Sequence, residues 1–361
     1  MSPPRSVPRI EAIASACPPT EVDANYRKWA GERLADPREA RLFARMAERS
    51  GIEHRWSVLG EDAGLEPGRF YTRGAAPTTA ERMAIYAREA PKLALEAIGK
   101  LPDLGRITHL VVASCTGFTA PGIDQVIARE LGLPGDVERL MIGFMGCYAG
   151  ATALRTAGQL ARAGEDARVL VVAVELSSLH LQPDANLEAT LAMAQFSDGA
   201  AAAIVSTGGP GLAIGEGLSA TLDDSGDLIT WTIGDTGFVM GLSGEVPSRL
   251  GHALADPGLG GKILGGAGPE EIEAWAVHPG GKSILDAVER SLSLPESALT
   301  ESREVLRTCG NMSSATILFV LERIMAREPA TGVALAFGPG LAMEGFRFGW
   351  TPQGDRGADA G

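Results

Sequence analysis

The chain of 361 residues is 45% hydrophobic and 21% charged, with a formal net charge of −13, which suits a globular protein with a large core and two domains or fused halves. The acidic balance argues against a nucleic-acid-binding surface, and the apolar runs are too short to span a membrane. Residues 1–9 lack the apolar segment of a signal peptide, so we expect a cytoplasmic protein.

In chain order, the first distinctive segment is a basic cluster between residues 27 and 55. It contains Arg27, Lys28, Arg33, Arg38, Arg41, Arg45, Arg49, His54 and Arg55. Interleaved glutamates and aspartates suit a solvated helix face, whereas a local surplus of arginine in an acidic protein suits a site for an anion. Charge counting leaves both interpretations open.

Alternating strand-like and helical patterns follow from residue 108 onward. In the first half they predict a strand at 108–114, helices at 122–131 and 149–163, and a strand at 168–175. In the second half they predict a strand within 272–281, helices from 282 and within 309–326, and a strand at 332–340. The strands are continuous runs of valine, leucine and alanine, which is typical of a parallel sheet buried between helices.

The two halves repeat each other at residue level. GCYAGATAL from Gly146 matches GNMSSATIL from Gly310 with a shift of 164 residues, and VLVVAVE from Val169 matches VALAFGP from Val333. This duplication predicts a pseudo-twofold α/β sandwich. We expect one half over residues 1–213, a second over 214–350, and a flexible tail over 351–361.

Three polar residues, Cys147, His278 and Asn311, stand at strand-to-helix junctions of this plan. Each has an ordinary structural explanation, because cysteine and histidine often pack in cores and asparagine is a preferred helix N-cap. A helix N-terminus also favours a thiolate, and open α/β sheets place catalytic groups at the ends of their strands. Since Cys147 and Asn311 fall at equivalent helix starts, we expect the three side chains to share one pocket.

The chemistry of this set suits carbon–carbon bond formation between thioesters. A thiolate accepts an acyl group, and a neighbouring imidazole stabilises the thiolate and passes protons. Histidine and asparagine N–H groups can hold the enolate that remains when a malonyl thioester loses carbon dioxide.

The sequence resembles type III polyketide synthases of the chalcone synthase family, in its bacterial branch, over nearly its whole length. The motifs that carry the resemblance are GCYAG around Cys147, VHPGGKSILD around His278, CGNMSSATILFVL around Asn311 and AFGPGLAMEGF at 336–346. The resemblance implies a thiolase-like duplicated α/β/α/β/α sandwich and a homodimer. It also implies that an acyl-CoA starter loads Cys147, and that His278 and Asn311 decarboxylate malonyl-CoA for repeated condensation before cyclisation.

The resemblance further assigns residues around these three. Gatekeeper positions, where the family carries aromatic residues, are held by Phe196 and Met240. Positions that bind CoA are held by Arg45, Arg49, Gly280, Gly281 and Ser283, and a scaffold for the cyclisation pocket by Gly338, Pro339 and Gly340. The elongation cavity is implied to be lined by Cys115, Thr116, Ser177, Leu179, His180, Trp231 and Ser313.

Positions at which this sequence differs from the plant enzymes of the family affect the expected product. Trp231 replaces a small residue of the plant enzymes and would reshape the cavity wall, so we expect a pyrone, resorcinol or phloroglucinol rather than a flavonoid. The substrates are CoA thioesters, and we expect no cofactor. We also expect no metal site, because the cysteines at 17, 115, 147 and 309 have no paired spacing.

Other interpretations remain open. A ketoacyl synthase III-like fatty-acid condensing enzyme shares the fold and the catalytic set, but takes its donor from a carrier protein. A papain-like hydrolase shares the chain order Cys147, His278, Asn311. A non-catalytic scaffold that binds acyl-CoA would keep its function when Cys147 is replaced by alanine.

Overall fold

The computed structural model describes residues 7–60, 64–72, 74–164, 166–182 and 186–352, and most of the tail expected at 351–361 lies outside these ranges. The strands are β1 (Arg9–Ala16), β2 (Thr20–Glu21), β3 (Trp56–Ser57), β4 (His109–Ser114), β5 (Glu138–Gly143), β6 (Val169–Leu176), β7 (Asp198–Ser206), β8 (Gly211–Thr221), β9 (Ile229–Gly234), β10 (Gly237–Leu242), β11 (Ala274–Val277), β12 (Gly332–Gly338) and β13 (Ala342–Thr351). The helices are α1 (Asp23–Arg33), α2 (Pro37–Glu48), α3 (Thr79–Ile98), α4 (Ile123–Glu130), α5 (Ala149–Ala163), α6 (Leu187–Met193), α7 (Val246–Ala255), α8 (Pro257–Leu264), α9 (Lys282–Ser291), α10 (Thr300–Cys309) and α11 (Thr316–Met325).

A nine-stranded sheet runs through both halves in the order β11-β12-β13-β8-β1-β7-β6-β4-β5. β4 pairs in parallel with β5 and β6, and β11 pairs in parallel with β12, whereas the other pairs in this sheet are antiparallel. The parallel pairing is therefore confirmed among the four predicted strands, for β4 with β6 and for β11 with β12. The sheet as a whole is mixed, because β1, β7, β8 and β13, which the patterns did not predict, pair antiparallel with their neighbours. Burial on both faces of a sheet produces the same apolar runs whichever way a neighbouring strand points. The sequence pattern therefore could not distinguish parallel from antiparallel neighbours.

α5 and α11 lie against each other between the two parts of the sheet and form the central layer. Gly150 permits this close approach, because a Cβ there would collide with the Ser314 carbonyl oxygen and lie 3.0 Å from Ile317 Cγ2. α3 covers the outer face of the first half, and α7, α9 and α10 cover the outer face of the second half. The resulting layers are α/β/α/β/α, which confirms the predicted sandwich.

The duplication is visible in the order of the elements. β4, α4, α5, β6 and β7 of the first half correspond to β11, α9, α11, β12 and β13 of the second. Where the first half has the edge strand β5, the second half has the helix α10. β8 opens the second half at Gly211, so a division at residue 213 would cut this strand near its start.

α1 and α2 form a smaller unit above the central sheet. Tyr26 and Ala30 of α1 and Phe43 and Ala47 of α2 pack with Met193 at the end of α6. This packing holds one side of α2 in place and leaves its arginines exposed. Within the described ranges, no helix is long and apolar enough to cross a membrane.

Candidate active site

Cys147 lies in the bend between β5 and α5, one residue before the Tyr148 N-cap. Gly146 has a φ of +84° at this bend, a conformation that residues with a Cβ rarely adopt. A Cβ on Gly146 would also collide with the Pro339 ring. The glycine therefore lets the chain turn sharply enough to present a half-buried Cys147 next to the 338–340 segment.

His278 follows β11 directly and is 1% exposed. Its backbone N–H donates to the Leu335 carbonyl oxygen at 2.8 Å, which fixes the residue to β12. Neither ring nitrogen has a hydrogen-bond partner among the described residues. Burial lowers the pKa of His278 to about 3, so the imidazole is neutral near pH 7 and both nitrogens are available.

Asn311 is 2% exposed, and hydrogen bonds of both its side chain and its backbone hold it in place. Its Oδ1 accepts from the Ser313 N–H at 2.8 Å, and its Nδ2 donates to the Gly280 carbonyl oxygen at 3.3 Å. The prediction that Asn311 starts a helix is wrong in detail, because a 3-10 turn, Ser313–Ala315, lies between it and α11. Its Oδ1 thus holds the first residue of that turn, and the second N–H of its amide is left to bond with Cys147 or with a ligand.

Cys147, His278 and Asn311 line one cavity of about 400 Å³, which we call the outer cavity. Burial raises the pKa of the Cys147 thiol to about 11, although hydrogen bonds from Ser313 and Asn311 act in the opposite direction. The expected stabilisation of a thiolate is therefore outweighed by desolvation of the charge. A base must accept the thiol proton when the sulfur reacts, and the neutral His278 ring lines the same space.

A second space, which we call the inner chamber, has a volume of about 30 Å³ and lies on the other side of Phe196 and Met240. These two residues line both spaces together with Cys147 and Ile229. The structure thus places both predicted gatekeepers where the outer cavity meets the inner chamber. The rest of the chamber wall includes Cys115, Thr116, Ser177, Trp231, Ser313 and Pro339.

Trp231, on β9, closes one wall of the inner chamber. Its Nε1–H donates to the Cys115 carbonyl oxygen at 2.8 Å, and its ring meets those of His180 and Phe238 edge to face at 5.4 and 5.7 Å. This hydrogen bond and these ring contacts fix the indole, which leaves the chamber with room for about one water molecule.

Leu179 and His180, which were expected to line the cavity, lie behind its wall instead. Both are fully buried, and neither borders the outer cavity or the inner chamber. His180 Nε2 lies 2.7 Å from the Thr116 carbonyl oxygen, and its Nδ1 accepts from the Phe238 N–H at 3.0 Å. With both ring nitrogens bonded and its ring stacked on Phe238 at 4.2 Å, His180 supports the wall rather than facing a ligand.

Glu175 is a buried residue of this site that the sequence analysis missed. It accepts from the Cys115 N–H at 3.0 Å and from the Thr116 hydroxyl at 2.8 Å, and the Ser314 hydroxyl also donates to it. Burial raises its pKa, as it does for the neighbouring Cys115, whose sulfur lies 3.1 Å from the Ser313 hydroxyl. A lone glutamate at the end of the apolar run VLVVAVEL was a signal for such a network.

An entrance groove of about 410 Å³ adjoins the outer cavity and shares Met46, Leu191, Gln195 and Ser283 with it. Arg49 lines this groove, whereas Arg45 lies one helical turn away and borders a neighbouring groove with Arg38 and Arg41. Gly280 and Gly338 border the outer cavity, but Gly281 and Gly340 do not line it. Gly281 is buried against Gln195, whose Oε1 a Cβ would strike.

Residues 11–209 match the family model for the N-terminal domain of chalcone and stilbene synthases, and residues 217–349 match that for the C-terminal domain. The alpha-pyrone synthesis polyketide synthase-like Pks18 of Mycobacterium tuberculosis is 31% identical, covering 96% of this chain and 92% of that protein. PKS-I from the brown alga Ectocarpus siliculosus is 28% identical with a TM-score of 0.84, covering 97% of this chain and 100% of that one. A variant of CsyB complexed with CoA-SH is 25% identical with a TM-score of 0.85, covering 96% and 100% of the two chains. With both halves matched and the layered fold shared, this chain belongs to the chalcone and stilbene synthase family and is a type III polyketide synthase.

Proposed function

We propose that Cys147 carries the acyl chain as a thioester and that His278 and Asn311 hold the enolate formed from malonyl-CoA. The main support is the buried His278 ring, whose nitrogens have no partner among the described residues although the ring faces the same cavity as Cys147. An unpaired buried polar group costs about 1–3 kcal/mol. A substrate oxygen or the Cys147 thiol would supply the missing hydrogen bond.

In the loading step, the Cys147 proton passes to a ring nitrogen of His278 while the sulfur attacks the thioester carbonyl of the starter. The bond between that carbonyl carbon and the CoA sulfur then breaks. The acyl group stays on Cys147, and CoA leaves as a thiol with the proton from His278. Because burial raises the pKa of Cys147 to about 11, the thiol is largely protonated at neutral pH before this transfer.

In the extension step, malonyl-CoA occupies the outer cavity and loses its carboxylate as carbon dioxide. The electron pair of the broken carbon–carbon bond moves onto the thioester as an enolate, whose oxygen accepts from His278 and from the Asn311 N–H that does not donate to Gly280. The enolate carbon attacks the acyl carbonyl, and the bond to Cys147 breaks, which releases the sulfur as a thiolate that takes up a proton from water. The chain is then two carbons longer and attached to CoA, ready for return to the cysteine.

CoA is proposed to lie in the entrance groove with its arm toward Cys147. Arg49 and Ser283 line that groove, and Gly280 borders the cavity beyond it. Arg45 is exposed on α2, one turn before Arg49. It would therefore contact a part of CoA that extends past the groove. The chemistry uses a sulfur, an imidazole and an amide, so we propose that no cofactor or metal takes part.

The product is proposed to be a pyrone, resorcinol or phloroglucinol. An inner chamber of about 30 Å³ leaves little room for a long intermediate while Trp231 keeps its position. A short chain that closes on itself fits this restriction better than the larger flavonoid skeleton. The name of the relative Pks18 refers to alpha-pyrone synthesis, which is consistent with the first of these products.

We further propose that the protein acts in the cytoplasm as a homodimer. β5 is one of the two edge strands of the nine-stranded sheet, and its Leu140 and Met141 are exposed, as is Phe118 nearby. An exposed apolar edge strand invites pairing with another chain. A second copy of this chain would cover it.

Incubation of the purified protein with malonyl-CoA and a panel of acyl-CoA starters tests the proposed function, with the products identified by mass spectrometry. We expect pyrones, resorcinols or phloroglucinols to form without a carrier protein and in the presence of EDTA. Condensation that requires an acyl carrier protein would favour the ketoacyl synthase III alternative. Peptide hydrolysis that thiol alkylation abolishes would favour the papain-like one.

A further inference from the structure

We propose that Lys282 binds a phosphate group of CoA in the entrance groove, which Arg49 also lines. Lys282 is the first residue of α9, and Arg49 is the C-cap of α2. Both line the groove that opens into the outer cavity. This inference rests on the proposed function, because it takes CoA thioesters as the ligands.

The side chain of Lys282 crosses from α9 toward the end of α2. Its Cδ lies 3.8 Å from the position that a Cβ on Gly51 would occupy. The chain after α2 turns at Gly51 with a φ of +76°, a conformation that favours glycine. The turn leaves room for the lysine stem, so the ammonium group can reach the space that Arg49 also lines.

The charges of this groove are unbalanced. Neither Arg49 nor Lys282 forms an ion pair within the described part of the chain, and both are exposed. Asp286 also lines the groove, but its carboxylate pairs with Arg303 at 2.8 Å. Two unpaired cations facing one space in a protein with a net charge of −13 are suited to a polyanion, and a phosphate can accept from both.

The test compares two thioesters that share the reacting group. Malonyl-CoA carries the phosphates, whereas malonyl-N-acetylcysteamine lacks them. We expect Lys282→Gln to lower the ratio of kcat/KM for malonyl-CoA to kcat/KM for malonyl-N-acetylcysteamine by about 5- to 20-fold. Lys282→Arg should restore most of this ratio, and the dependence of kcat/KM on salt should become shallower in Lys282→Gln.

Lys262→Gln provides the matched control, since Lys262 is exposed on α8 away from the groove. A ratio within twofold of the wild type in Lys282→Gln would overturn the proposal, and so would an equal loss with both thioesters. If the wild type turns over neither thioester, the proposed function fails instead. Calorimetric titration with CoA then still tests Lys282, because a CoA affinity unchanged by Lys282→Gln would reject it and a 5- to 20-fold weaker affinity would support it.

Discussion

Phe196 and Asn311 are joined backbone to backbone in an isolated parallel bridge. The Asn311 N–H donates to the Gln195 carbonyl oxygen at 2.9 Å, and the Ser197 N–H donates to the Asn311 carbonyl oxygen at 2.9 Å. The gatekeeper and the amide that we assign to the enolate are therefore on one hydrogen-bonded unit. A displacement of the 195–197 segment would move both the doorway and the catalytic amide.

Arg55 is predicted to stabilise this unit. It is 3% exposed, donates to the Phe196 carbonyl oxygen at 3.0 Å, and pairs with Asp23 at 2.7 Å. In Arg55→Met, Asp23 keeps Arg27 as a partner, but the Phe196 carbonyl oxygen loses its donor. A buried acceptor that is left unpaired costs about 1–3 kcal/mol, and we expect Arg55→Met to lower the free energy of unfolding in urea by about this amount.

Arg27→Met is the control for Arg55→Met, because Arg27 pairs with the same Asp23 at 2.5 Å but is 27% exposed. Partly exposed pairs contribute about 0–1 kcal/mol. Equal losses of stability in the two variants would show that the buried position of Arg55 has no special role.

The different roles proposed for Cys147 and His278 predict different defects when each residue is replaced. Cys147→Gln should abolish starter loading yet retain decarboxylation of malonyl-CoA, since His278 and Asn311 still face the cavity. His278→Ala should reduce decarboxylation by about 10²–10³-fold, as expected when a donor to a developing oxyanion is removed. Release of labelled carbon dioxide from malonyl-CoA measures decarboxylation in both variants. Unchanged release in His278→Ala would contradict the role given to this residue.

The pKa of His278 predicts how decarboxylation depends on pH. Burial lowers this pKa to about 3, so the ring becomes cationic below about pH 3 and remains neutral from pH 5 to pH 9. In Cys147→Gln, which removes the thiol as a second titrating group, the rate of decarboxylation should change less than about twofold over that range. A sigmoidal change with a midpoint near pH 6.5 would indicate a solvated histidine instead.

Trp231 is predicted to limit the length of the product. Trp231→Gly removes the indole that closes the inner chamber and should enlarge it, so products with one or more additional malonyl units are expected. Mass spectrometry of the product mixture measures this. Trp231→Phe, which keeps a ring but loses the hydrogen bond to Cys115, serves as the control; identical products from wild type and Trp231→Gly would remove Trp231 from the determinants of length.

Sequence patterns predicted an α/β sandwich of two similar halves and the convergence of Cys147, His278 and Asn311, and the motifs around these residues carried the resemblance that predicted the family. α5 spans the predicted 149–163 because its alanine-rich pattern is uninterrupted, and the repeat between the halves indicated where the second helix and the asparagine would meet it. The family prediction is confirmed by the matches over both halves.

Features that depend on packing between distant segments could not be predicted in this way. The orientation of His180 follows from its bonds to Thr116 and Phe238, which neighbouring residues in the sequence do not reveal. The raised pKa of Cys147 follows from burial, whereas its place before α5 suggested the opposite direction. Lys282 and Arg49 line one groove, although no spacing in the sequence links the two.

The most direct test of the central claim is mass spectrometry of the protein after brief exposure to an acyl-CoA starter without malonyl-CoA. We expect one acyl group per chain, located by peptide mapping on Cys147 and absent from Cys147→Ala. An acyl group on Cys115 instead, or polyketide products from Cys147→Ala at the wild-type rate, would contradict the assignment of Cys147 as the residue that carries the chain.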